Sequence, residues 1–107
     1  MVVEGESPQF EPAVEFHPDA HAEMLEAARY YERQRSGLGQ ALISEVERAV
    51  ALAVRNPAAG KPLGEAYRWV LTRRFRYGVI YRQTERGIEI IAVAHLRRRP
   101  GFWRRRT

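Results

Sequence analysis

Apolar residues recur at helical spacing through the first half of the chain. The first set lies three or four residues apart, at Ala20, Met24, Ala27 and Tyr31. This spacing places the set on one face and predicts an amphipathic helix. Residues 17–19 open the helix, because a proline suits its first position and a carboxylate suits its first turn. Residues 36–39, which include two glycines, end it, and the alternating residues 14–16 predict a short strand before it.

A second helical face follows, formed by Leu42, Val46, Ala49, Val50 and Ala53. Asn56 and Pro57 end this helix. Because only a few residues separate the two helices, we expect an antiparallel helical hairpin. Residues 58–64 carry glycine and proline and predict a loop.

From Tyr67 onward the apolar period changes to two, which predicts strands. Residues 67–72 and 77–82 alternate, and residues 85–87 form a turn before a third strand. That strand, residues 88–95, is apolar on both faces and is therefore expected inside the sheet. The alternation places His95 on the same face as Ile91 and Val93. Three strands with short connections predict an antiparallel meander.

The predicted fold class is therefore α+β. It consists of an N-terminal strand, an antiparallel helical hairpin packed on an antiparallel sheet, and a basic C-terminal tail. Residues 13–107 are expected to form a single domain after an N-terminal tail, residues 1–12. The chain has no cysteine, and no apolar run approaches the ~18–20 residues of a membrane helix. Its first residues lack the pattern of a signal peptide, so we expect a cytoplasmic location.

Charge is divided between the two halves of the chain. Residues 1–65 hold 6 Lys/Arg and 11 Asp/Glu, a net charge of −5. Residues 66–107 hold 12 Arg and 2 Glu, a net charge of +10. This division predicts that the second half faces an anionic partner, either nucleic acid or an acidic protein segment.

His95 is the candidate for catalysis, since it ends the third strand and directly precedes an arginine-rich run. Its imidazole could take a proton from a ribose 2′-hydroxyl while Arg97 and Arg98 hold the phosphate. The alternative is a histidine that hydrogen-bonds the backbone at a strand end. His17 and His21 have the spacing of two zinc ligands, but no third ligand is evident, so we expect no metal and no cofactor.

A second basic cluster, residues 73–77, interleaves arginines with aromatic rings. Such a cluster can grip phosphates and stack bases. It can also pair with a glutamate-rich peptide, or be a solvated turn with Phe75 and Tyr77 in the core. Trp103 is either a hot spot for a partner or an anchor of the tail on the sheet. We favour the anchor, because a small domain is short of large apolar side chains.

Taken in order, these pieces resemble the RelE/ParE superfamily of type II toxin–antitoxin toxins, and the ParE-type branch most closely. The resemblance runs from about Val14 to Arg106. Its pieces are residues 14–20, 30–32, Gly39, 49–50, 56–57, 74–81 and 93–103. Arg76 departs from the Phe-Pro-Tyr that many relatives carry at this place, which adds a positive charge.

The resemblance implies a small toxin that a cognate antitoxin wraps and silences, in a possible toxin–antitoxin hetero-oligomer with no membrane partner. ParE-like members inhibit DNA gyrase, whereas RelE-like members cut mRNA on the ribosome. No glutamate of the predicted sheet looks like a general base, since Glu85 lies in a turn and Glu89 lies early in its strand. This favours gyrase inhibition over the mRNA endonuclease. A nucleic-acid-binding module without toxicity is a third hypothesis.

The resemblance also implies site residues. For a nuclease, the catalytic residues would be His95, Arg74 and Arg82. For binding to the target or the antitoxin, the expected residues are Arg73, Arg74, Arg76, Tyr81, Arg82, Arg97, Arg98, Trp103 and Arg104.

Overall fold

A computed structural model describes residues 13–107 of the chain, so the N-terminal tail expected at residues 1–12 lies outside the described residues. The architecture is α+β, as predicted. Its helices and strands are, in chain order, β1 (Ala13–Phe16), α1 (Pro18–Gln34), α2 (Leu38–Arg55), β2 (Lys61–Leu63), β3 (Tyr67–Leu71), β4 (Tyr77–Thr84) and β5 (Gly87–His95). A short 3-10 helix, Arg104–Arg106, follows near the C-terminus.

The five strands form one mixed sheet in the order β1-β5-β4-β3-β2. The predicted antiparallel meander of β3, β4 and β5 is confirmed, and β5 lies inside the sheet. The sheet is not wholly antiparallel, because β1 pairs in parallel with β5, with Val14 opposite Ile88. A parallel neighbour needs a crossover connection, and the helical hairpin is part of that crossover.

The loop predicted at residues 58–64 contains a strand that the sequence pattern did not indicate. Residues 61–63 pair antiparallel with β3, and Pro62 lies opposite Arg68. Proline has no N–H to donate to a sheet ladder and is found on edge strands. Since β2 is an edge strand of this sheet, Pro62 is compatible with it.

The helical hairpin packs on one face of the sheet, as the apolar spacing predicted. Buried residues of α2 are Gly39, Leu42, Val46, Ala49 and Ala53. Gly39 allows the two helices to approach closely, because a Cβ at this position would lie 2.7 Å from the carbonyl oxygen of Ala28. At the start of α1, the His17 side chain accepts a hydrogen bond from the Asp19 N–H at 3.0 Å. His17 is therefore a capping residue.

A β-bulge in β5 interrupts the alternation of its side chains between the two sheet faces. The prediction that His95 lies on the same face as Ile91 and Val93 depended on that alternation. Ala92 lies opposite Ile80 and Ile90 lies opposite Tyr81, so Ile91 is an extra residue in the ladder. Ile91 therefore belongs to the apolar cluster on the sheet face away from the helices, whereas Val93 belongs to the cluster beneath them. The prediction that His95 shares a face with both was wrong for Ile91.

Residues 96–107 return across the sheet face opposite the helices, and we call them the C-terminal segment. Trp103 is only 3% exposed and packs edge-on against Tyr67, with ring centroids 4.7 Å apart. It shares the second apolar cluster with Ile80, Ile91 and Ala92. The prediction that Trp103 anchors this segment on the sheet is confirmed. The predicted basic C-terminal tail is therefore not shown as a free tail, because the C-terminal segment packs on the sheet.

Candidate functional site

The turn between β3 and β4, residues 72–76, carries three exposed arginines, and we call it the basic turn. Buried Thr72 holds its ends together. The Thr72 hydroxyl donates to the Arg74 carbonyl at 2.6 Å and accepts from the Tyr77 N–H at 3.0 Å. Phe75 and Arg76 both adopt left-handed backbone angles, with φ of 72° and 58°. These residues rarely adopt such angles, so the surrounding contacts must fix the turn.

Glu45 of α2 holds the basic turn from the helix side. Its Oε1 accepts the N–H groups of Arg73 at 2.6 Å and Arg74 at 3.2 Å. Burial by itself would raise the pKa of this carboxyl. The two backbone hydrogen bonds and the nearby Arg48 guanidinium outweigh burial, so the pKa of Glu45 is lowered. The carboxylate therefore stays ionised and fixes the turn while the arginine side chains remain exposed.

Aromatic rings support the same turn from below. Phe75 packs against Tyr31 of α1 with ring centroids 4.6 Å apart, and Arg74 lies over the Phe75 ring at 5.0 Å. Tyr77 packs next to Tyr31 and receives the His95 ring edge-on at 5.4 Å. Burial and the neighbouring Tyr31 hydroxyl raise the pKa of Tyr77 to about 12, so it is neutral at physiological pH.

The start of the C-terminal segment lies beside the basic turn. The Leu96 N–H donates to the Arg76 carbonyl at 3.0 Å, which joins the two. His95 caps this junction, because its Nδ1 accepts the Arg97 N–H at 3.1 Å and its carbonyl accepts the Arg98 N–H at 2.9 Å. Six exposed arginines therefore meet at one end of the sheet, and we call them the basic end: Arg73, Arg74, Arg76, Arg97, Arg98 and Arg99.

Glu23 of α1 fastens the far end of the C-terminal segment. Its carboxylate accepts two hydrogen bonds from the Arg106 guanidinium, at 2.7 and 3.0 Å, and one from the Val93 N–H at 3.0 Å. Arg106 also donates to the Ile91 carbonyl at 2.9 Å. The hydrogen bonds that Arg106 donates to the Glu23 carboxylate raise the pKa of Arg106. This pair occupies the edge of β5 beyond the end of β1, at the bulge.

Four of the predicted site residues lie outside the basic end: Tyr81, Arg82, Trp103 and Arg104. Tyr81 is only 1% exposed, and its hydroxyl donates to the Pro57 carbonyl at 2.7 Å and accepts from the Gly60 N–H at 3.0 Å. Its position is that of a structural residue of the core. Arg82 forms an ion pair with Glu89 at 2.8 Å, toward the hairpin turn between β4 and β5. Trp103 is likewise buried, whereas Arg104 lies exposed over its ring at 4.8 Å.

The three residues expected to form a nuclease site are therefore not brought together. His95 lies opposite Tyr77, at the start of β4, whereas Arg82 lies five residues further along that strand. Five strand residues span roughly 17 Å. Only Arg74 and His95 lie at the same end of the sheet. Within residues 13–107, no cluster of three or more His, Cys, Asp or Glu could hold a metal ion.

Sequence reasoning missed Glu23 and Glu45, which fix the two arginine-bearing segments. Each directly precedes a residue of a predicted apolar stripe, Met24 or Val46. A carboxylate at the border of an apolar stripe is a weak signal, because such positions more often face solvent.

Over the part of the chain that is described, no helix is long and apolar enough to cross a membrane.

Comparison with known families gives one match over most of the chain. Residues 14–100 match the model of the ParE toxin of the type II toxin–antitoxin system parDE. Among solved structures, the chain resembles one from a chromosomal ParDE toxin–antitoxin system of P. aeruginosa, with a TM-score of 0.69 and 16% sequence identity. The match covers 79% of this chain and 96% of the other. A comparison with curated protein sequences gives no match.

Proposed function

Since the chain belongs to the ParE toxin family of type II toxin–antitoxin systems, we propose that it stops bacterial growth by inhibiting DNA gyrase in the cytoplasm. A cognate antitoxin neutralises it by forming a toxin–antitoxin complex. In this proposal the basic end is a binding surface, and the protein performs no chemistry on its target.

The separation of His95 from Arg82 is the observation that carries this proposal. A nuclease needs its proton-transfer group and its phosphate-binding groups around one reacting bond. Here Arg82 is paired with Glu89, and the carboxylates next to the basic end, Glu45 and Glu23, already accept hydrogen bonds from backbone N–H groups and arginines. His95 itself uses Nδ1 to hold the Arg97 N–H. This arrangement favours recognition over catalysis.

The basic end also supports a role for an acidic antitoxin. Within residues 13–107, Arg98 is the only arginine of the basic end with a carboxylate within 4.0 Å, and that pair with Glu23 is long, at 3.4 Å. Hydrogen bonds fix the backbone of the segments that carry these arginines, so that backbone needs little reordering when a partner binds. An acidic segment would be attracted to them and would compete with the target for the same surface.

Induced expression in a bacterial host tests the proposal, with two readouts taken from the same cultures. We expect growth arrest, a loss of plasmid supercoiling and intact transcripts, and we expect rescue by the product of the reading frame adjoining the toxin gene. Purified toxin should inhibit supercoiling by purified gyrase. Transcripts cleaved before supercoiling changes would instead support the mRNA endonuclease.

A further inference from the structure

Two consecutive residues of the basic turn hold a backbone conformation that glycine adopts freely and most other residues avoid. Phe75 and Arg76 are left-handed, with φ of 72° and 58°. In this conformation the Cβ atom crowds the following carbonyl oxygen, a cost that glycine at the same place would avoid. Strain of this kind persists only where surrounding contacts fix it, and it concentrates at functional sites. The conformation of this turn is therefore a candidate for a role in binding.

Three parts of the fold hold the strained turn through contacts that also build the core or the sheet. The Phe75 ring packs against Tyr31 of α1 and against the apolar cluster beneath the helices. The Arg76 carbonyl accepts the N–H of Leu96 in the C-terminal segment. The Thr72 hydroxyl, directly after β3, donates to the turn and accepts from the first N–H of β4. None of these contacts serves the turn alone.

Glu45 of α2 makes a fourth contact, and both of its backbone partners lie in the turn. Its Oε1 lies 2.6 Å from the backbone nitrogen of Arg73 and 3.2 Å from that of Arg74. These two residues directly precede the left-handed pair, so one oxygen that accepts both N–H groups fixes the direction in which the chain enters it. The guanidinium groups of both arginines are exposed, and among residues 13–107 neither has a carboxylate within 4.0 Å.

The Glu45 carboxylate itself is largely hidden from a partner. Its side chain is only 16% exposed, and the Arg48 guanidinium lies 3.5 Å from its Oε1. A partner that approaches the basic turn therefore meets the exposed arginines and not this carboxylate. Any effect of Glu45 on binding must pass through the conformation of the turn.

We infer that Glu45 is a positioning residue for target binding, whose carboxylate holds the basic turn in its left-handed form so that Arg73 and Arg74 meet the gyrase in one fixed arrangement. The inference rests on the proposed function and adds the residue that prepares the binding surface. The free energy lost in the left-handed backbone is offset when the target binds, because the turn then needs little reordering.

A double-mutant cycle on the inhibition of gyrase supercoiling separates positioning from folding. Glu45→Ala and Arg74→Gln should each weaken inhibition by roughly 3- to 10-fold, although Glu45→Ala keeps every arginine. The double variant should be little weaker than either single variant, because Arg74 has already lost its fixed position once the carboxylate is gone. Fold-changes that multiply in the double variant would show that Glu45 does not act through Arg74, and would overturn the inference.

Two further substitutions on α2 serve as references. Glu45→Gln keeps an acceptor oxygen, so its inhibition should lie between that of Glu45→Ala and that of the wild type. Glu47→Ala removes an exposed carboxylate of the same helix, on the groove between β1 and α2, and should change inhibition by less than about 2-fold. Melting curves show that each variant is folded at the assay temperature. Inhibition by Glu45→Gln as weak as that by Glu45→Ala would contradict the role of the acceptor oxygen.

Two substitutions at Arg76 test the strain independently of Glu45. Arg76→Gly and Arg76→Gln both remove the charge, but only glycine relieves the left-handed strain. Arg76→Gly should therefore melt at a higher temperature than Arg76→Gln. It should nevertheless inhibit gyrase roughly 2- to 5-fold less well, because a turn without this Cβ visits other conformations. A glycine variant that melts no higher, or that inhibits as well as Arg76→Gln, would count against a strained turn held for binding.

The outcomes separate the two proposals. If the purified toxin inhibits gyrase and Glu45→Ala inhibits it equally well, the positioning role is wrong and the proposed function stands. If the wild-type toxin does not inhibit gyrase, both fail.

Discussion

Individual carboxylates on the helices fix the shape of the arginine-bearing surface. Glu45 accepts two successive N–H groups of the basic turn, and Glu23 accepts one from β5 and two from Arg106. Both carboxylates thus accept hydrogen bonds from backbone N–H groups to which no neighbouring strand offers a carbonyl. Because such hydrogen bonds connect a helix to the sheet, each single residue acts on the position of a whole segment.

Replacing Glu45 should loosen the basic turn and lower stability. Glu45→Ala leaves the exposed N–H groups of Arg73 and Arg74 to water and should cost about 0.5–1.5 kcal/mol of unfolding free energy. Glu45→Gln keeps an acceptor oxygen and should cost less. Denaturant unfolding measures both, and equal costs for the two variants would show that charge, and not the acceptor oxygen, is what the turn needs.

The same carboxyl predicts a pH dependence. The pKa of Glu45 is lower in the folded protein than the ordinary value of 4.5. Its contribution to stability is therefore complete above that value and is lost as the pH falls through the lowered pKa. The difference in stability between wild type and Glu45→Gln should shrink as the pH is lowered through this range. A difference that stays constant with pH would contradict this assignment.

At the scale of elements, the C-terminal segment is a layer of the fold as well as a carrier of charge. Trp103 closes the second apolar cluster, and Arg106 reaches Glu23 on the opposite side of the sheet edge. Removing the segment by truncation would therefore expose apolar surface and break an ion pair. Loss of toxicity in a truncated protein would not distinguish a damaged fold from a lost binding surface.

Neighbouring arginines of this segment should differ sharply in their effect on stability. Arg106→Ala breaks a partly buried pair and should cost about 1–3 kcal/mol, because Glu23 loses two hydrogen bonds but keeps the Val93 N–H and the longer contact with Arg98. Arg105→Ala removes an exposed side chain and should stay within about 0.5 kcal/mol. Thermal unfolding of the two variants checks this, and equal melting temperatures would show that the Glu23 pair does not hold the segment.

At the scale of the whole molecule, the division of charge along the chain becomes a division in space. The two helices carry most of the described acidic residues, and the basic end lies where β3, β4 and β5 meet the C-terminal segment. Ion pairs such as Arg106 with Glu23 and Arg86 with Glu15 connect the two halves. The arginines of the basic end are exposed and, apart from Arg98, their guanidinium groups have no carboxylate within 4.0 Å among residues 13–107, so they are available to a partner.

Toxicity should therefore depend on this surface more than on His95. We expect His95→Ala to retain growth arrest and gyrase inhibition. Replacing Arg74, Arg97 and Arg99 together by glutamine should weaken gyrase inhibition by roughly 10-fold or more, because several charge contacts are lost at once. The control replaces three exposed arginines of the helices, Arg29, Arg33 and Arg55, by glutamine. Loss of toxicity in His95→Ala alone would favour the nuclease.

The sequence by itself determined the helical hairpin, the first strand, the meander and the division of charge. Each depends on spacing between residues that are near in the chain, and local periodicity records that spacing directly. The basic turn and the end of β5 were recognisable as candidates for the same reason, since their arginines are consecutive or nearly so.

Only the tertiary structure decided which of these residues share a surface. The extra residue Ile91 changes the faces of β5, and this bulge exists only in register with β4. Tyr81 alternates with Tyr77 and Val79 on one face of its strand, but the periodicity does not show that the Pro57 carbonyl and the Gly60 N–H engage its hydroxyl inside the core. The hydrogen bonds from the basic turn to Glu45 likewise connect residues that are separated by 28 and 29 positions in the sequence. These features arise from contacts distant in sequence, which periodicity does not encode.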